Sequence, residues 1–180
     1  MKIFIIFLFI FSFISPAQSS QQKNLNNLFS QLQNINNSKS AALLEKKIWS
    51  IWNEHPNDFK LTEKLEFGTE LMQYGDYNYA LKVFSNVLES DPNWSEAWNK
   101  RATVYFLMNQ LKKSLDDIDK VLYIEPRHFG ALSGQARIFI KLQQYEKAIK
   151  SIEQALKFYP SFKSRELIPE IERLIREDSI

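Results

Sequence analysis

Three observations in the sequence predict an all-α fold in which antiparallel helix pairs stack into a solenoid. Pro92, Pro126 and Pro160 fall 34 residues apart, and each closes an amphipathic run: YNYALKVFSNVLESDP, LKKSLDDIDKVLYIEP and YEKAIKSIEQALKFYP. Small residues recur twelve positions before each proline (Ala80, Ser114, Ala148), large apolar ones eight before (Phe84, Ile118, Ile152), and small or β-branched ones five before (Val87, Val121, Ala155). With only 4 glycines and 6 prolines among 180 residues, the chain lacks the turn residues an all-β fold of many tight hairpins requires.

The elements follow in order. Lys2 precedes an apolar run, Ile3 to Ile14, that is interrupted only by Ser12 and followed by the small residues Ser15 and Ala17, the pattern of a secretory signal cut after Ala17. The run falls short of the roughly 20 apolar residues needed to span a bilayer, so a membrane tether is expected only if this segment is retained. A polar tail is expected over 18–23, then a degenerate helix pair over 24–60 with Leu28, Leu32, Ile35, Leu44, Ile48 and Ile51 at core positions and Pro56 as its stop. Trp49 and Trp52, three apart near the end of that pair, suit either an aromatic ligand face or packing, and their helical spacing favours packing. Three helix pairs are predicted near 61–74 with 77–90, 95–108 with 111–124, and 129–142 with 145–158, forming repeats over 61–94, 95–128 and 129–160. Each proline drives its preceding residue out of helical geometry and so ends the second helix of its pair. In the first helices Gly68, Ala102 and Ala136 coincide, as do Leu71, Tyr105 and Phe139, so that small residues admit a close neighbour and large ones fill beside it. Residues 161–180 are left for a capping helix, Glu170 to Glu177 behind Pro169, with a polar outer face over the last repeat.

Composition removes several functional classes. The net charge of +2 becomes +1 (22 basic, 21 acidic) without Lys2, so the electrostatic footprint of a nucleic-acid binder is missing. There is no cysteine, hence no disulfide and no lipoprotein attachment site, and an exported domain depends on packing for stability. His55 and His128 each lie within two residues of a repeat-ending proline, without companion ligands at zinc spacing, and suit hydrogen bonding in loops or at helix starts. Asp116, Asp117 and Asp119 lack calcium-loop spacing and read as a solvated face beside Lys112, Lys113 and Lys120. Arg127 is expected to meet helix-end carbonyls or a neighbouring carboxylate. No glycine-rich phosphate loop, GxSxG or HExxH occurs, and no catalytic residue, metal or cofactor is assigned.

The 34-residue pattern resembles the tetratricopeptide repeat family over Leu61 to Pro160. The resemblance implies a right-handed solenoid whose first helices line a concave groove for a peptide or partner protein. The segment from AWNKRATVYF through EPRHFGAL is also similar to small exported alphaproteobacterial members of the family without an assigned activity, which implies a periplasmic location. Carried onto this chain, the groove-facing positions are Thr62, Leu65, Thr69 and Met72, then Glu96, Asn99, Thr103 and Phe106, then Gly130, Ser133, Arg137 and Ile140, with Lys100, Gln73 and Lys141 beside them. Leu65, Met72, Phe106 and Ile140 would form an apolar floor and Asn99, Lys100, Arg137 and Lys141 polar donors, a surface for a peptide with a carboxylate. The family's chaperone-binding branch clamps a peptide carboxylate with Lys and Asn in its first repeat; Leu65 and Thr69 stand there, so that clamp is broken. The alternatives are an enzyme using His128 and Arg127 at a repeat junction, a membrane-tethered adaptor, and a groove filled by the chain's own termini. Within NWSEAWNKRA, Trp98 is expected to pack as a knob, Trp94 to staple the preceding turn with Ser95 as N-cap, and Arg101 to reach a carboxylate on the adjoining helix.

Overall fold

The repeat prolines act where expected. The computed structural model describes residues 16–35 and 37–178, so the signal expected over residues 1–17 lies outside the described residues except for Pro16 and Ala17, which begin a helix. The three repeats are α3 (Phe59–Gln73) with α4 (Tyr77–Ser90), α5 (Ser95–Leu107) with α6 (Leu111–Ile124), and α7 (Phe129–Lys141) with α8 (Tyr145–Phe158). The residues that precede the prolines, Asp91, Glu125 and Tyr159, have ψ of 96°, 89° and 82°. Each is the C-cap of its helix, and the clash with the proline ring keeps it out of α geometry.

Within each pair the turn is equally periodic. Gly75, Asn109 and Gln143, 34 apart, have φ of 82°, 58° and 57°, the left-handed region. Their N–H groups donate to Met72, Phe106 and Ile140, and the next residues donate to Leu71, Tyr105 and Phe139. This double closure satisfies the last carbonyls of the first helix and reverses the chain in three residues.

Close approach of paired helices follows the small-residue positions. A Cβ at Gly68 would lie 2.6 Å from Cε1 of the fully buried Phe84, whereas the equivalent pairs are Ala102 with Ile118 and Ala136 with Ile152. The larger ring is therefore matched by the smaller partner. Gly68→Ala is expected to cost about 1–3 kcal/mol by overpacking, despite the better helix propensity of alanine. Adding Phe84→Ile should recover most of the Gly68→Ala loss; denaturant midpoints of the two single variants and the double variant check this.

Ahead of the solenoid, α1 (Pro16–Asn34) and α2 (Ser38–Asn53) form a helical hairpin. Asn37 caps α2, its Oδ1 accepting from the N–H groups of Lys39 and Ser40. Residues 18–23, expected as a tail, are instead helical: Gln21 Nε2 donates to the carbonyls of Ile51 and Glu54, satisfying the end of α2. The hairpin does not extend the stack. Its buried Leu25, Phe29, Leu32, Ala41, Leu44, Ile48 and Trp52 share a core with Phe129, Leu132, Ala155 and Tyr159 of the third repeat, while the core around α3 and α4 contains none of them. Trp49 and Trp52 are thus packing residues. At the other end, a 3-10 helix (Lys163–Leu167) leads into α9 (Ile168–Asp178), whose Ile171 is buried against α7 and α8.

Candidate functional site

Since α1 and α2 fold back over the solenoid, they decide what remains of the groove. The N-cap positions of α5, of α7 and of the 3-10 helix after α8 carry Trp94, His128 and Phe162 at one register, and α2 lies against this row. Trp94 Nε1 donates to the Trp52 carbonyl at 2.8 Å. His128 stacks on the Trp52 ring at 4.0 Å between centroids and 10° between planes. Trp49 reaches further, to a point 2.4 Å from where a Cβ of Gly130 would stand, so glycine is required for the ring to sit on the start of α7. On the outer side Arg127 donates to Glu125 and to Asn26 and covers the Phe29 ring, while Tyr159 Oη donates to Glu45 at 3.0 Å. Burial and the adjacent Glu45 carboxylate push the Tyr159 phenol up to about 12.

Beneath this contact lies an ionic cluster that sequence reasoning missed. Glu96 and His128 are both 0% exposed. His128 Nδ1 accepts from Ala131 N–H, capping α7, and therefore Nε2 carries the proton and donates to Glu96 Oε2 at 3.0 Å. Asn99 Nδ2 donates to the same oxygen, and Lys100 Nζ is 3.1 Å from Oε1. Burial alone would push the Glu96 carboxyl up; the hydrogen bond from His128 and the charge of Lys100 outweigh it and hold the group below the usual carboxylate range. His55 is built the same way, with Nδ1 accepting from Asp58 N–H and Nε2 facing Asp91 at 2.9 Å. His128 is the N-cap of α7, whereas His55 holds the N–H of Asp58, itself the N-cap of α3; both are structural, and the shared signal was their place beside a repeat-ending proline.

Between α2, α5 and α7 a cleft of about 470 Å³ remains. Phe106, Phe129, Ile138 and Phe162 supply apolar walls, and Gly134 opens the α7 backbone toward Ile118 of α6. Asn99, Thr103, Ser133 and Arg137 stand along it, with Glu45 and Trp49 contributed by α2. Thr103 and Ser133 are partly occupied, by the Asn99 carbonyl and by Ser164. Arg137 is exposed and has no ion pair among the described residues.

The structure brings six of the twelve expected groove-facing positions to this cleft: Asn99, Thr103, Phe106, Gly130, Ser133 and Arg137. Lys141 lies next to it, its Nζ 5.8 Å from the Phe106 ring centre. The others are elsewhere. Leu65 is a buried core residue of the first repeat, Met72 packs against the same core, and Thr69 donates to the Leu65 carbonyl. Ile140 packs with Ala136 and Ile152, and Lys100 is held by Glu96 rather than facing outward as a free donor. Around them, Arg101 forms a two-pronged pair with Asp117 of α6 at 2.8 Å, so Asp117 is buried while Asp116 and Asp119 are solvated. Trp94, not Ser95, is the N-cap residue of α5, and Trp98 Nε1 donates to the Pro92 carbonyl.

Comparisons with known proteins agree with this architecture. Residues 73–155 match the family model of the anaphase-promoting complex, cyclosome, subunit 3. A TPR repeat-containing protein of Rhizobium etli is 33% identical over 145 residues, covering 81% of this chain and 71% of that protein. The Hsp70-Hsp90 organizing protein 3 of Arabidopsis thaliana is 25% identical over 64% of this chain, which spans only 20% of that relative. Among solved structures, the first TPR of Spaghetti (RPAP3) bound to an HSP90 peptide aligns with a TM-score of 0.62 at 21% identity, over 67% of this chain and 96% of that one. The TPR2B domain of yeast Sti1 in its pHsp70 complex aligns at 0.57 and 19% identity, over 68% and 98%.

Proposed function

The chain belongs to the tetratricopeptide repeat family, and on that premise we propose that it is a non-enzymatic protein-interaction module of the bacterial periplasm, binding a segment of a partner protein in the cleft between α2, α5 and α7. The observation that carries this reading is Arg137, a solvated guanidinium without an ion pair among the described residues, on the rim of an apolar cleft. A carboxylate on the partner segment pairs with Arg137, and an apolar side chain fills the space beside Phe106 and Phe162. The solved domains with HSP90 and Hsp70 peptides support a peptide ligand in this fold. An enzymatic use of His128 and Arg127 has no support in the geometry, because His128 is buried with both ring nitrogens engaged and Arg127 is committed to Glu125 and Asn26.

Selection of displayed random peptides on the purified protein tests the site. Enrichment of acidic peptides with an apolar residue, weakened about tenfold or more by Arg137→Glu and by Phe106→Ala, is the expected result. Binders indifferent to both substitutions would place the site elsewhere. Export is checked by the mass of the protein recovered from the periplasm: a chain beginning at Gln18 is expected, and a retained Ile3 to Ile14 segment would show a membrane tether instead.

A further inference from the structure

Only two of the residues that line the cleft between α2, α5 and α7 are charged, Glu45 of α2 and Arg137 of α7, and their signs are opposite. They are not paired with each other, and neither forms an ion pair among the described residues. Glu45 is half-buried and accepts one hydrogen bond, from the Tyr159 hydroxyl to Oε2, while no donor among the described residues reaches Oε1. It shares a face of α2 with Trp49, one turn further on.

The two charges stand at different levels of the cleft. Trp49 sits on Gly130, and the Tyr159 ring that holds Glu45 is 5.5 Å from the Phe129 ring, so the carboxylate lies beside the first turn of α7. Arg137 is two turns further along that helix, roughly 10 Å at the rise of an α-helix, and Lys141, over the Phe106 ring, adds to the positive end. Phe106, Phe129 and Phe162 supply the apolar walls. Neighbouring charges leave this pattern in place: Lys47 lines the space between α1 and α2, Lys46, Lys163, Arg165 and Glu166 are exposed outside the cleft, and the buried Glu96 is matched by Lys100 and His128. An apolar cleft with an anion at one end and a cation at the other complements a segment that bears both charges in the reverse order. A segment with a carboxylate alone would satisfy Arg137 but cover Glu45, stripping its water without supplying a cation, and is penalised for it.

Resting on the peptide-binding reading of this cleft, we propose that the partner is an extended segment with a basic side chain at Glu45 and a carboxylate at Arg137, about three positions apart, and an apolar residue between them. Arg137 is the anchor and Glu45 the residue that selects among acidic segments. Glu45→Gln removes the charge and keeps an acceptor for Tyr159. Random peptides displayed against the purified protein should be enriched in a basic residue about three positions from the acidic one; against Glu45→Gln the acidic residue should persist and the basic preference disappear. For one selected peptide, Glu45→Gln in the protein and glutamine in place of the basic residue in the peptide should each weaken binding about tenfold, and the two together no more than either alone. The change in the peptide leaves the protein untouched, so the outcome does not hinge on how the variant folds. Acidic binders that need Arg137 but show no basic preference, or losses that simply add, would overturn the proposal and leave the peptide-binding reading standing; binders indifferent to Arg137 as well would overturn both.

Discussion

Trp52→Ala is expected to lower stability by about 3–5 kcal/mol and to release the α1–α2 hairpin from the solenoid. The indole is 4% exposed, stacked on His128 and packed against Phe29 and Phe129. Its removal leaves a cavity where two parts of the chain separated by 76 positions meet. Because the Trp52 carbonyl also holds Trp94 Nε1, loosening this segment frees the start of α5 as well. Proteolysis adds a readout that a mere loss of cavity contacts would not give: the linker between α2 and α3, residues 54–58, should be cut faster in the variant. Unchanged denaturant midpoint and cleavage would show that the hairpin is not anchored there.

Glu96→Ala is expected to cost about 3 kcal/mol, since it leaves His128 without its acceptor and Lys100 without its anion in a largely buried setting. The pH dependence has a definite sign. The folded-state pKa of Glu96 is below its ordinary value, so the stabilisation is fully present above the unfolded value, near 4.3, and is lost as pH falls through the folded one. The advantage of the unaltered protein over Glu96→Gln should therefore be full at neutral pH and shrink at pH below about 4. A difference in urea midpoint that stays constant across that range would show that the carboxylate charge contributes nothing.

The solenoid was legible because its determinants are local. A proline every 34 residues, a small residue twelve before it and an apolar residue eight before it specify helix ends and the pairing face; the second helices end two residues before the prolines, at Ser90, Ile124 and Phe158. The docking of the hairpin was not legible, because helical periodicity shows which face of α1 and α2 is apolar but not which surface it meets. A signal existed in Gly130, which lacks a side chain where the equivalent position of the second repeat is Glu96. Only the structure shows that the vacant volume belongs to Trp49. The groove positions divide for the same reason. Leu65 and Ile140 have groove register, but the helix pairs are packed closely enough there to bury or half-bury them, whereas Asn99, Thr103, Phe106 and Arg137 face a stretch that α2 leaves open.

The most direct test of a peptide-binding cleft walled by the chain's own α2 is the amide resonance map of the protein titrated with a selected acidic peptide. Shifts are expected at Asn99, Thr103, Gly130 and Gly134, together with the Trp49 indole, and should vanish in Arg137→Glu. Shifts confined to the outer helices α4 and α6, or a cleft that responds identically with Arg137 reversed, would contradict it.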